Sequence, residues 1–197
     1  MTSFQLYFGL GKDHILDLSN GYDHILFIMA LCAIYVIYDW KVVLVLVTAF
    51  TIGHSITLAL ATLRFISVKT ELIEFLIPLT ILITAILNLF AREDTLYSGK
   101  RVIRTNYWLA LFFGFIHGMG FSNYLRSLLG KEENIFTPLL SFNLGLEVGQ
   151  IIVVAIFMAS SFILVDIFGV SRRDWRMIVS SAIGGMALIL MKDTIYW

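Results

Sequence analysis

Gly21-Tyr22-Asp23-His24-Ile25-Leu26-Phe27 sets an acid and an imidazole side by side at the mouth of an apolar run that continues to Tyr38. An ionisable side chain in hydrocarbon costs roughly 3 kcal/mol or more, so such residues persist where they have a partner and a job. Three later apolar runs each carry one matching residue: His54, His117 and Glu147. The simplest reading is that these meet Asp23 and His24 in one polar site inside a helical membrane protein.

Composition supports that reading. The 197 residues are 59% hydrophobic and 14% charged, and mean hydropathy is +0.88. Soluble domains run about 45–50% apolar and about 25% charged. The chain is therefore expected to be all-α, a polytopic transmembrane bundle forming a single integral membrane domain over 1–197. Its formal net charge of zero points to no nucleic-acid partner. With Cys32 as the one cysteine, neither an intrachain disulfide nor a thiolate metal cluster can form. Residues 1–20 lack the pattern of a cleaved secretory signal, so the first span is expected to act as its own insertion signal.

Six spans are predicted, at 20–38, 42–63, 71–91, 106–128, 137–165 and 177–191, after an interfacial amphipathic segment at 4–18. Apolar runs of this length must be helices, because lipid offers the backbone no hydrogen-bond partner. Alternate connections hold Lys41, then Arg92, Lys100, Arg101 and Arg104, then Arg172, Arg173 and Arg176. The other side holds Lys12, Arg64, Lys69, Arg126, Lys131 and Lys192. The bias places the two arginine clusters in the cytoplasm and both termini outside, as in a bacterial inner (cytoplasmic) membrane.

That orientation puts Asp23, His24, His54, His117 and Glu147 in the outer half, although nothing in the span boundaries forces them to one depth. Imidazoles ligate zinc, nickel and copper, and carboxylates complete such sites. For one histidine, a core imidazole bonded to a carbonyl is as good a reading. Three at one depth, with two acids, favour a metal site. Asn143, Glu147 and Gln150 share one face of their helix at i, i+4, i+7, and a neutral stripe of this kind can also glue helices together. Gly53, Gly114, Gly118, Gly145 and Gly149 flank the key residues, which implies close helix packing.

These residues resemble a known family. Gly11-x-x-His14-Ile15-Leu16 followed by Gly21-Tyr22-Asp23-His24-Ile25-Leu26-Phe27 is similar to the first signature of the HupE/UreJ membrane proteins. Thr48 to Ala59, with Gly53-His54-Ser55 at its centre, resembles their second. Phe113-Gly114-Phe115-Ile116-His117-Gly118-Met119-Gly120-Phe121 and Phe142-Asn143-Leu144-Gly145-Leu146-Glu147-Val148-Gly149-Gln150 resemble the third and fourth. The resemblance implies a six- or seven-helix protein grouped with nickel/cobalt permeases of hydrogenase and urease systems, and it adds His14 to the candidate ligands. It also implies a second copy or a metalloprotein-assembly factor as partner, beside membrane lipid and the ion. The chain departs from the family in having a few extra residues between His14 and Gly21 and no histidine-rich start.

Two functions follow. One is a divalent-metal permease for nickel, cobalt or zinc, with His24, His54, His117, Asp23, Glu147 and His14 as ligands. The other is a zinc-dependent intramembrane hydrolase on the same ligands, with Glu147 or Asp23 as catalytic general base. Asn88 and Gln150 are the few polar candidates deeper along a transport path, and that scarcity counts against transport.

Overall fold

The computed structural model describes residues 2–18, 22–91, 100–129 and 135–195, with the side chains of 100–105 excepted. Gly21 of the opening motif lies outside the described residues, as do Arg92 and Lys131. Long runs without access to water can satisfy their backbone only within the segment, and the described residues contain helices and no strand. They are α1 (Ser3–Leu16), α2 (Tyr22–Cys32), α3 (Trp40–Thr62), α4 (Thr70–Phe90), α5 (Lys100–Gly120), α6 (Ser122–Leu129), α7 (Phe136–Ser161) and α8 (Arg172–Asp193).

Local chemistry sets several ends. Thr2 and Gln5 form a capping box on α1: the Gln5 amide donates to Thr2 Oγ1 at 3.2 Å, and the Thr2 amide donates to Gln5 Oε1 at 3.1 Å. Ser171 caps α8 by accepting from the Asp174 amide at 3.0 Å. Arg64 takes a left-handed φ of 64° just after α3, where helices commonly stop.

Among the described residues, four stretches are long and apolar enough to cross a membrane: Ile37–Thr62, Thr70–Phe90, Phe136–Ile167 and Arg172–Asp193. The last helical turn of the third is a π-helix, Phe162–Ile167. Two of the six predicted spans are not single helices. Among the described residues of the 20–38 stretch, the α-helix covers the 11 residues of α2, about 16 Å at 1.5 Å per residue. The 106–128 stretch divides at Phe121 into α5 and α6, just after Gly118-Met119-Gly120. The 4–18 stretch, expected to lie at the interface, forms α1, which lies along α7 and buries Tyr7, Gly11 and Ile15, one stripe at i, i+4, i+8. Together α1 and α2 follow α7: Gly11 packs beside Gly145, and Ala33 shares a cleft with Ser161.

Two helix crossings are built alike. A methyl on Gly11 would strike the Phe142 carbonyl and the Leu146 amide, and one on Gly145 would strike the Phe8 carbonyl and the Lys12 amide. A methyl on Gly114 would strike the Phe50 carbonyl and the His54 amide, and one on Gly53 the Leu111 carbonyl and the Phe115 amide. In each pair a Gly-x-x-His helix (α1 or α5) packs on a Phe-x-x-Gly helix (α7 or α3), glycine against glycine, with the backbones in contact. Each Gly-x-x-His helix is followed by a short helix, α2 or α6. The two halves of the chain thus run through the same order of elements and exchange their crossing partners.

The directions follow from these contacts. α1 runs parallel to α7 and α3 parallel to α5, while α4 runs antiparallel to α8, with Glu74 and Ile77 beside Leu190 and Thr194. The start of α1, the end of α8 and the 63–69 connection therefore lie on one face, here the terminal face. The 33–39 and 168–171 connections lie on the other.

Candidate metal centre

His14 ends α1, Asp23 and His24 begin α2, His54 sits past the middle of α3, and His117 lies three residues beyond the Gly114 crossing. The matched glycine crossings and the α1–α2 break bring His14 and His117 each beside His24, with Asp23 next to it. Ring centroids lie 4.6 Å apart for His14 and His24, 6.0 Å for His24 and His54, and 5.2 Å for His24 and His117. Ligand atoms of His14, His24 and His54 fall within 4.8 Å of one another, as do those of Asp23, His24 and His117. An ion with four nitrogens at about 2.0–2.1 Å would hold them roughly 3.3 Å apart.

The hydrogen bonds assign the tautomers of two rings. His24 Nδ1 lies 2.9 Å from Asp23 Oδ1, and a carboxylate only accepts, so the proton is on Nδ1. This leaves the His24 Nε2 lone pair free for a cation. Thr80 gives its hydroxyl proton to the Ile77 carbonyl at 2.7 Å, so at 3.1 Å it accepts from His117 Nε2. This leaves the lone pair on His117 Nδ1. Both freed nitrogens are buried without a protein partner, as are His14 Nε2 and both nitrogens of His54. Buried polar atoms are normally satisfied, and each unmet one costs about 1–3 kcal/mol. Unpartnered nitrogens on four neighbouring imidazoles, with two three-residue groupings that share His24, are the kind of donor set a divalent transition metal takes. Asp23 orients His24, as metal-bound imidazoles commonly require of a carboxylate.

Two cavities reach this centre. One of about 660 Å³ is lined by His14 with Asp13, Asp17, Phe121 and Tyr124. Another of about 230 Å³ is lined by Asp23 with Glu74, Pro78 and Thr194. Both are edged with carboxylates, which attract cations.

Glu147 does not join the cluster. Its carboxylate accepts from the Thr48 hydroxyl at 2.9 Å, and Gln150 accepts from Thr51 at 2.6 Å. Asn143 donates to Leu139 of its own helix at 2.9 Å. The polar stripe of α7 therefore ties α7 to α3 at Glu147 and Gln150. Sequence reasoning missed Thr80, whose role shows only once His117 is placed beside it. The available signal was the Thr80, Thr84, Asn88 spacing at i, i+4, i+8.

The family model of the HupE / UreJ protein matches residues 1–195. No curated protein and no solved structure matches the chain. The chain belongs to the HupE/UreJ family.

Proposed function

We propose that this HupE/UreJ family member is a permease for a divalent transition metal ion of the nickel, cobalt or zinc kind, captured from the terminal face. The observation that carries this reading is the convergence of unpartnered imidazole nitrogens from α1, α2, α3 and α5 at the break between α1 and α2. Discontinuous helices around a buried polar site are a recurrent transporter arrangement. Asp13, Asp17 and Glu74 would draw the cation in. His14, His24, His54 and His117 would replace its water, with Asp23 holding the His24 ring. Neutral imidazoles release an ion when protons compete for them.

Polar groups also follow His117 toward the other face, which supports this reading. Thr80 touches His117, and Thr84 and Asn88 follow on the same face of α4. Asn88 donates to the Ala30 carbonyl at 2.7 Å, and Asn106 donates to the Tyr35 hydroxyl at 2.8 Å. Thr84, Asn88 and Asn106 line a cavity of about 30 Å³, enough for a water.

Hydrolysis is less well supported. A zinc hydrolase needs an open coordination position and a general base. Here four imidazoles crowd the centre, Asp23 is held by His24, and Glu147 faces Thr48. The test is elemental analysis of the purified protein and of the His54→Ala, His117→Ala double variant, with metal uptake measured in cells expressing each. The permease reading expects bound metal and uptake in the parent and loss of both in the variant. Bound metal without uptake would leave a storage or catalytic site and sink the permease.

A further inference from the structure

At the opposite end of the molecule, a narrow cleft lies between the 33–36 turn, the end of α7 and the first turn of α8. It is lined by Ala33, Ile34, Val165, Arg173, Trp175 and Arg176, among others. Arg176 is 6% exposed, yet its guanidinium makes no ion pair or hydrogen bond among the described residues. Its Nε is buried and unpartnered, and so is the indole Nε1 of Trp175 beside it. A buried cation without a counter-charge is strongly unfavourable. Arginine and the indole N–H are donors only, so whatever satisfies them must accept hydrogen bonds, and the buried cation favours an acceptor that carries negative charge. The cleft also sits at the amino end of α8, where the helix dipole favours an anion. Arg172 and Arg173 add charge at its mouth. The nearby Asp166 and Asp174 are solvent-exposed.

We propose that this cleft binds an anionic phosphate group. Its room, about 10 Å³, admits one oxygen between Arg176 and Trp175 while the rest of the phosphate stays at the mouth by Arg173. The planar guanidinium suits phosphate geometry. The apolar walls, Ala33, Ile34 and Val165, suit the glycerol and chain of a phospholipid. Free phosphate offers the same oxygens without using those walls.

The test follows thermal unfolding of the purified full chain in detergent, titrated with phosphatidylglycerol, phosphatidylcholine or inorganic phosphate. Phosphatidylglycerol should raise Tm, and Arg176→Gln should raise the half-maximal lipid concentration about tenfold or more. Trp175→Phe, which keeps the ring and removes the donor, should weaken the response less. Arg173→Gln, at an exposed position, provides a variant whose folding is not in question and should also weaken it. A shift with phosphate equal to that with phosphatidylglycerol supports the site and identifies free phosphate as its ligand. The proposal is overturned if neither raises Tm, if phosphatidylcholine raises it equally, or if Arg173→Gln and Trp175→Phe both respond like the parent.

Discussion

His54 presents both ring nitrogens to the interior with no protein partner, while the matching position in the other glycine crossing is Leu146. His54→Leu therefore copies a side chain the fold already accepts and removes two unmet polar atoms at about 1–3 kcal/mol each. Without metal, the variant is expected to melt at or above the parent's temperature, and added nickel or zinc should no longer stabilise it. A metal-induced rise in Tm equal to the parent's would remove His54 from the site. Asp23→Asn keeps the size of the side chain but not the charge that fixes the His24 tautomer. Isothermal titration should show metal affinity reduced about 10–100-fold. Glu147→Gln, in contrast, leaves the imidazoles untouched, because Glu147 bonds to Thr48. Its metal content should match the parent's, and a clear loss would bring Glu147 back among the ligands.

At the scale of elements, the site depends on two backbone-to-backbone crossings. Gly11→Leu and Gly114→Leu each place side-chain atoms where the partner's backbone already stands. Overpacking costs about 1–3 kcal/mol, and more when whole helices must separate. Both variants should melt lower and bind less metal, since His14 and His117 lie three residues further along the displaced helices. Gly9→Ala, with nothing within 4 Å of the added methyl, is the control and should behave as the parent. If Gly11→Leu kept full metal content, α1 would not be part of the site. Such crossings were half legible in the sequence: the glycines flanking His117 and Glu147 announced close packing. Which helix each glycine meets was not legible, because partner choice is a contact between residues about 60 to 140 positions apart.

For the molecule as a whole, helix directions put the start of α1, the end of α8 and the 63–69 connection on one face. Ser67→Cys and Tyr38→Cys, both at exposed positions, therefore lie on opposite sides. The native Cys32 is buried and should stay silent. In intact cells an impermeant maleimide is expected to label position 67 and not position 38, because the arginines of α8 share the face of Tyr38. Labelling of position 38 alone would invert the orientation and reverse the direction of capture proposed above.

Composition and apolar run length by themselves determined that this chain is helical and membrane-like, since burying so much apolar surface in lipid leaves the backbone few other choices. The odd polar residues in those runs marked His24, His54, His117 and Asp23, because such residues are too costly to leave unexplained. Only the tertiary structure decided the rest. The run at 20–38 is apolar enough to span, but the chain places the amphipathic α1 in line with a shortened α2, because Gly11 and Gly145 let α1 approach α7 closely. That approach carries His14 into the cluster. Glu147 had the right residue type on a plausible face, yet helix rotation turned it toward Thr48. Hydropathy reports how far a side chain lies along its helix, but the direction it faces is fixed by which neighbour its helix packs against.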